Sequence, residues 1–365
     1  MLYKNLLSAA VFAGSALAAP AASQLPDDGF PNPNANQLEG ISQLAGGTLS
    51  NAPPPASLSP SSIPIFQLIA FNENFEVAFF NSLINNITNE ISGYQIPFGS
   101  EKAALLSVLE NVLNQEELHA INAASIVNHF GGTVPQPCVY KFPTTDVMGA
   151  ISLAETFTAL VLGTLQDASQ GLSTNGDHGP VRAVASVIGQ EGEQNGFFRS
   201  LINAKPSEKP FLTTSIAEFA FSALQNFVVS CPFDIAATIP IPIHPTIDVT
   251  GGGAVSSRDQ NLTFTADLSK VSAAASFYGN TATSNSGLFM TYFTGQDAPI
   301  SVPITGAAWN GKVLTFNAEF PYSKFCMDGL TVGSLTTAGS FASPDAVGAA
   351  TLAAPALIQV TQPIL

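Results

Sequence analysis

Residues 105–123, LLSVLENVLNQEELHAINA, give the first indication of the architecture. Apolar residues recur three and four positions apart in this stretch, which is the spacing of one face of an α-helix. Glu116 falls on that apolar face and His119 lies at its edge, whereas Glu117 points away from it. A carboxylate among apolar side chains is costly unless it is paired. The stretch therefore predicts a long helix whose buried face carries an acid that needs a partner.

Three other predicted helices carry an acid on the apolar face in the same way. These acids are Glu73, which Glu76 flanks, Glu155, and Glu191, which Gln194 flanks. The apolar periodicity and the helix-capping residues predict the four long helices at about 64–92, 100–130, 145–169 and 179–204. The chain offers few inward-facing cations to pair with these acids. One carboxylate in mid-helix on each of four helices favours a common explanation, namely an inward-facing cluster.

Two explanations of the cluster remain open. Glu116 and His119, three residues apart, also fit a pair on a helix surface, but the fourfold placement favours the inward cluster. Two metal ions neutralise several buried carboxylates at once, and carboxylates with one imidazole suit iron or manganese. The alternative is a relic site held together by shared protons and hydrogen bonds.

The predicted ligand set follows the pattern of dinuclear carboxylate bundles. Such bundles use one Glu from each of two helices and a Glu-x-x-His motif from each of the other two. Glu73 and Glu155 supply the single acids, and Glu116 with His119 forms a complete Glu-x-x-His. Glu191 with Gln194 is the second copy, in which Gln replaces His. The predicted metal ligands are therefore Glu73, Glu116, His119, Glu155, Glu191 and Gln194.

Three segments carry a family resemblance. They are FNENFEVAFF at 71–80, QEELHA at 115–120 and QEGEQNGFFR at 190–199, the last being the most specific. Over about residues 60–230 the chain resembles the ferritin-like domain of a fungal family described as stress-response or late-sexual-development proteins, to which plant desiccation-related proteins are similar. The resemblance implies a ferritin-like four-helix bundle and a secreted or cell-wall protein, without an established activity. Gln194 departs from the His of the wider superfamily and is a weaker donor to iron.

The rest of the chain changes character on both sides of the helices. Residues 20–62 are rich in Pro, Ser and Asn and predict an extended arm. A shorter helix is predicted at about 213–228, and the Pro-rich stretch 239–245 predicts a stiff connector. Beyond it, alternating runs at 262–266, 288–293 and 313–317 predict strands, and Asn310-Gly311 predicts a hairpin. We therefore predict an α+β chain, with a ferritin-like bundle at 63–230 and a small β-sandwich domain at 246–365.

Several features predict a secreted glycoprotein. Residues 1–19 have the charged start, apolar centre and small-residue cleavage site of a signal peptide. Asn86 and Asn261 begin two glycosylation triplets. Of the three cysteines, Cys138 and Cys231 each follow a helical segment, so we expect them to form a disulfide and to leave Cys326 free.

Composition excludes other classes of function. The formal net charge is −15, from 26 acidic against 11 basic residues, which argues against nucleic-acid binding. No membrane span is predicted after the signal peptide, and no phosphate-binding loop, dinucleotide fingerprint or Gly-x-Ser-x-Gly motif is present. Two hypotheses remain. One is a structural or protective secreted protein with a degenerate dinuclear site, and the other is an oxidase or catalase-like enzyme with two iron or manganese ions.

Overall fold

The computed structural model describes residues 24–279 and 287–364, which form two compact units. The helical unit comprises the described residues up to Ile202 together with Thr214–His244. The β unit comprises Asn203–Thr213 and the described residues from Pro245 onward. The predicted signal peptide, residues 1–19, lies outside the described residues.

Four long helices dominate the helical unit, as the apolar periodicity predicts. In chain order, its helices within the described residues are α1 (Ala35–Ala45), α2 (Ile63–Thr88), α3 (Gly99–His129), α4 (Val147–Thr174), α5 (His178–Leu201), α6 (Ala217–Gln225) and α7 (Ile235–Thr238). The long helices α2 to α5 pack into a bundle against which α6 also lies.

Local chemistry fixes where these helices begin and end. Pro64 occupies the first turn of α2, where its missing N–H costs nothing. The Asp146 carboxylate accepts a hydrogen bond from the Gly149 N–H and caps α4. After α3, Gly131 adopts a φ of 73° and lets the Gly132 N–H donate to the Val127 carbonyl.

Helix α4 is apolar enough to raise the question of a membrane. It is the one helix in the described part of the chain whose length and hydropathy are sufficient to cross a bilayer. Most of its most apolar window is buried inside the protein, however, at 61% of residues. Its composition is therefore that of a core helix, and no clear membrane span is present among the described residues.

The predicted extended arm contains a helix, which corrects the expectation for residues 20–62. The Asn34 side chain accepts hydrogen bonds from the N–H groups of Asn36 and Gln37, and the Gln37 side chain accepts one from the Asn34 N–H. This reciprocal capping box starts α1. Ile41 and Ala45 then pack on Leu118 of α3. The polar composition of the arm conceals this short helix because its few apolar residues find their partner on another helix.

The predicted disulfide between Cys138 and Cys231 is present and is confirmed. It lies beside a two-stranded sheet formed by β1 (Val139–Tyr140) and β2 (Val228–Ser230). Cys326 is free and exposed, also as predicted.

Two mainly antiparallel sheets build the β unit around one apolar core. Its strands are β3 (Ile247–Val249), β4 (Ala254–Val255), β5 (Gln260–Asp267), β6 (Phe289–Phe293), β7 (Ile300–Pro303), β8 (Thr305–Asn310), β9 (Val313–Phe320), β10 (Gly329–Thr336) and β11 (Thr351–Val360). The five-stranded sheet has the order β4-β11-β10-β6-β7, in which β4 and β11 are parallel, and the four-stranded sheet has the order β3-β5-β9-β8. Helical structure in the described part of this unit is limited to short turns: a 3-10 turn at Ser272–Phe277, α8 (Tyr322–Phe325) and α9 (Asp345–Gly348).

The three predicted strands correspond to β5, β6 and β9, and the predicted hairpin joins β8 to β9. Asn310 pairs with Val313, so the two residues of the turn are Gly311 and Lys312. Gly311 has a φ of 61°, which favours glycine. The α+β class predicted from the sequence is confirmed.

One segment of the β unit comes from between α5 and α6. Within Asn203–Thr213, the Lys205 N–H donates to the Gln362 carbonyl, and Ala204 bridges to Pro363. Farther along, the Lys209 ammonium donates to the Leu330 carbonyl. These pairings join residues more than a hundred positions apart, so the composition of residues 63–230 does not indicate that Asn203–Thr213 belongs to the β unit.

Candidate metal centre

Three helices bring four of the predicted site residues together. Glu73 comes from α2, Glu116 and His119 from α3, and Glu191 from α5. One potential ligand atom from each of these residues lies within 4.8 Å of the other three. The three carboxylates are fully buried, while 17% of the His119 side chain is exposed. The imidazole therefore forms the side of the cluster that solvent reaches.

The Nδ1 atom of His119 lies at the centre of the cluster. It is 2.8 Å from Oε2 of Glu116, 3.8 Å from Oε2 of Glu73 and 3.9 Å from Oε1 of Glu191. Only the shortest of these distances is a hydrogen bond. Both carboxylate oxygens of Glu73 and both of Glu191 are buried without a hydrogen-bond partner. Four buried acceptor atoms without donors thus belong to a cluster in which His119 is the basic group.

Glu76 is a further acid that the predicted ligand set leaves out. It is fully buried one turn after Glu73, and its Oε1 accepts a hydrogen bond from the Asn72 side chain. Its Oε2 has no hydrogen-bond partner. Burial, followed by the charges of Glu116, Glu191 and Glu73, raises the pKa of Glu76 well above its ordinary value. The sequence places Glu76 at the flank of the apolar face of α2, and this position is the sequence feature that indicates its burial near Glu73.

The electrostatics of the cluster favour protons or a cation. Burial is the main cause that raises the pKa of Glu73 to about 7, although His119 partly opposes the shift. Burial and the charges of Glu73 and Glu116 raise the pKa of Glu191 well above its ordinary value. Burial alone would lower the pKa of His119, but Glu116 and Glu73 raise it well above its ordinary value. Burial is the largest cause of the raised carboxylate pKa values, and repulsion between the neighbouring acids adds to it.

Glu155 is paired with a buried arginine. Its side chain is buried as predicted, but its Oε1 accepts a hydrogen bond from Nη1 of Arg199 on α5. Both side chains are 1% exposed. Glu155 is not among the groups of the described chain whose ligand atoms lie within 4.8 Å of each other around His119. The expected convergence is seen for Glu73, Glu116 and Glu191. The ligand role of Glu155, whose charge Arg199 compensates, stays a prediction.

Gln194 faces the cluster through its amide nitrogen. Its Nε2 donates to Oε1 of Glu116 at 2.6 Å and to Oε1 of Gln115 at 3.0 Å. Its Oε1 is buried without a hydrogen-bond partner. In this orientation Gln194 contacts a carboxylate of the cluster as a hydrogen-bond donor, and its potential ligand atom is the oxygen that faces away from Glu116.

The bundle and its acids coincide with a known domain. Residues 61–204 match a family model described as a ferritin-like domain. The match includes α2, α3, α4 and α5 in full, and with them Glu73, Glu116, His119 and Glu191. No curated protein matches the chain.

The donor set of the ferritin-like domain fits a divalent transition metal. Carboxylate oxygens are hard ligands, and a single imidazole adds the nitrogen donor that iron and manganese accept. Buried acceptor oxygens without donors are what a cation would satisfy, since a buried unpaired carboxylate is otherwise strongly disfavoured. The cluster in the ferritin-like domain can therefore hold a metal ion, and its residues alone do not choose between iron and manganese.

Glu117 is a further buried acid of the ferritin-like domain, and its surroundings differ from those of the cluster around His119. It follows Glu116 directly, points away from the cluster as predicted, and is nevertheless fully buried. Burial is the main cause, with Asp28 of the arm, that raises the pKa of Glu117 to about 9. The sequence alone does not predict this burial, because it depends on arm residues about ninety positions away.

Proposed function

We propose that the ferritin-like domain binds one divalent ion of manganese or iron through Glu73, Glu116, His119 and Glu191. The observation that carries the proposal is the position of Nδ1 of His119 within 4 Å of oxygens from three buried carboxylates. An ion in place of shared protons satisfies oxygens that otherwise have no donor. The site is then a degenerate form of a dinuclear centre.

Two features support one ion rather than two. Glu155, the acid predicted for the fourth helix, is paired with Arg199. Gln194, which replaces the second imidazole, directs its N–H groups towards Glu116. Arg199 therefore engages one ligand expected of a second metal position, and the other, Gln194, contacts the cluster as a hydrogen-bond donor.

The test of this proposal is the metal content of the full chain. The protein is stripped with a chelator, loaded with Mn²⁺ or with Fe²⁺ under anaerobic conditions, freed of excess ion and measured by elemental analysis. We expect one ion per wild-type chain and none in Glu191→Gln. The matched control is Glu193→Gln, which makes the same change at an exposed position of the same helix and keeps the ion. A wild type that retains no metal under any loading condition refutes the proposal.

A dinuclear oxidase or catalase-like centre is the second candidate, and Glu76 favours it. Glu73, Glu76, Glu116 and Glu191 together have a formal charge of −4 when ionised, which balances two divalent ions. Two ions per chain, with loss of one in Glu76→Gln, would support this candidate over the mononuclear site. Gln194→His adds the missing imidazole and should increase the iron retained at a second position.

The biological setting is a separate proposal, namely a secreted glycoprotein of a fungal stress response or of sexual development. The signal-peptide pattern of residues 1–19, the family resemblance of the bundle and the disulfide, which is typical of oxidising compartments, support it. Of the two glycosylation triplets, the one at Asn261 begins on an exposed strand position, whereas Asn86 is half-buried in α2. Culture medium of the producing cells should contain the chain with its N-terminus near residue 19 and a glycan on Asn261. Retention of the chain inside the cell contradicts this setting.

A further inference from the structure

Helix α1 is held on α3 by two side-chain amides. Nδ2 of Asn111 donates to the Leu44 carbonyl at 2.7 Å, and Nε2 of Gln115 donates to the Ala45 carbonyl at 3.2 Å. The last carbonyls of a helix have no partner within the helix, so these amides satisfy acceptors that would otherwise be open. Asn111 and Gln115 lie one turn apart on α3, and both are next to the end of α1.

The contact with Ala45 fixes which way the Gln115 amide faces. A backbone carbonyl can only accept a hydrogen bond, so Nε2 of Gln115 faces Ala45 and Oε1 faces the opposite side. There Oε1 accepts hydrogen bonds from Nε2 of Gln190 at 2.9 Å and from Nε2 of Gln194 at 3.0 Å. The end of α1 thereby determines that Gln115 presents an acceptor to α5.

The orientation of Gln115 determines that of Gln194 in turn. With an acceptor at Gln115 and another at Glu116, Gln194 presents its NH₂ group to both. This leaves Oε1 of Gln194 buried without a partner and occupies Oε1 of Glu116. The other oxygen of Glu116, Oε2, is the one next to His119. The amide chain therefore selects the face that Glu116 presents to the metal centre.

We propose that Gln115 is a positioning residue of the metal centre and that docking of α1 controls it. The proposal rests on the proposed function. With α1 docked, Gln194 donates to Glu116 and holds this ligand in place; without the Ala45 contact, both amides can rotate and Glu116 loses its fixed orientation. Binding of the ion and docking of α1 are then linked, and each strengthens the other by the same factor.

The affinity for Mn²⁺ tests the positioning role. Free Mn²⁺ is followed by electron paramagnetic resonance during titration of the chelator-treated full chain. We expect Gln115→Met to bind Mn²⁺ about tenfold more weakly than wild type, the scale of losing a residue that orients a metal ligand. The matched control is Asn122→Met, which changes an exposed amide of the same helix, leaves the α1 contacts and the Gln115–Gln194 chain in place, and should stay within about twofold of wild type. Should Gln115→Met fail to fold, Gln194→Met removes the amide that donates to Glu116 and is expected to give the same tenfold loss of Mn²⁺ affinity.

Hydrogen exchange of the α1 amides tests the linkage in the opposite direction. Saturation with Mn²⁺ should slow exchange in residues 35–45 by about tenfold in wild type and leave it unchanged in Gln115→Met. Equal Mn²⁺ affinity of wild type and both Gln variants overturns this inference alone. A wild type that binds no Mn²⁺ overturns the proposed function and this inference with it.

Discussion

The ferritin-like domain compensates buried acidic side chains differently at two of the places where they occur. Around His119, the carboxylates of Glu73, Glu116 and Glu191 share a single imidazole. Between α4 and α5, Glu155 is paired with the guanidinium of Arg199. All of these acids lie on apolar faces of long helices, and all are buried. The difference between the two places is the cation that the chain supplies.

This difference shows why burial of an acid does not by itself identify a ligand. An arginine on a neighbouring helix balances the charge of one carboxylate, which then needs no metal ion in order to be buried. A cluster with several acids and one imidazole remains short of positive charge and attracts protons or metal. Substitutions that remove the arginine from one place or an acid from the other can test this difference in charge compensation.

Removing the arginine should have the largest effect on stability. Arg199→Met leaves Glu155 buried without its cation, and we expect the free energy of unfolding to fall by about 3–5 kcal/mol. Urea denaturation monitored by circular dichroism measures the change. The double variant Glu155→Leu/Arg199→Met removes both charges and should recover most of the loss. An Arg199→Met variant as stable as wild type would contradict the assignment of this pair as mutually compensating.

A change of Glu to Gln should alter the free energy of unfolding in opposite directions in the two places. In chelator-treated protein, Glu155→Gln leaves Arg199 without its counter-charge and should lower stability by about 3 kcal/mol. Glu191→Gln relieves a cluster that has too much negative charge and should raise stability by about 1–2 kcal/mol. Denaturation of both variants in one buffer measures the contrast. Destabilisation of the chelator-treated protein by both variants would show that the acids around His119 are already neutralised by groups of the chain.

The smallest of the expected effects is a change of stability with pH, which should come from the cluster around His119. Glu73, whose pKa rises from 4.5 to about 7, binds its proton more tightly in the folded chain, so its contribution is fully present below about pH 4.5 and is lost as the pH rises through 7. The raised pKa values of Glu76, Glu191 and His119 act in the same direction. The metal-free protein should therefore melt roughly 5 °C lower at pH 8 than at pH 5.

Metal and a variant serve as the two controls for this pH effect. Excess Mn²⁺ should remove most of the loss at pH 8, because the ion replaces protons that leave as the pH rises. Glu73→Gln/Glu191→Gln should show a flatter dependence than wild type, since two of the shifted groups are gone. An unchanged pH profile in this variant would assign the effect to other groups, such as Glu117.

The parts of this arrangement that the sequence predicts are those that local helical geometry determines. The positions of Glu73, Glu116 and Glu191 on apolar faces follow from the turn of a helix, and their burial is confirmed. The strands and the Asn310-Gly311 hairpin follow in the same way from alternation and turn chemistry. The metal-ligand roles of the six named residues stay predictions.

The parts that the sequence does not predict depend on contacts between distant segments. Arg199 lies in the last turn of α5, where a basic residue commonly interacts with the helix terminus, and nothing local indicates that it is buried against Glu155. Likewise, the composition of residues 20–62 indicates neither the capping box that starts α1 nor the amides on α3 that receive this helix. The apolar periodicity of a sequence describes one helix at a time, and it does not show which neighbouring segment packs against each face of that helix.

The bond between Cys138 and Cys231 has a consequence for the continuity of the chain. It encloses a ring that spans a sequence separation of 93 residues, and Asn203–Thr213 lies within that ring. A protease that cuts at the exposed Phe211 divides the backbone into two polypeptides, each of which carries one of the bridged cysteines. The nicked protein therefore remains a single covalent molecule until it is reduced, and only a reducing gel reveals that its backbone has been cut.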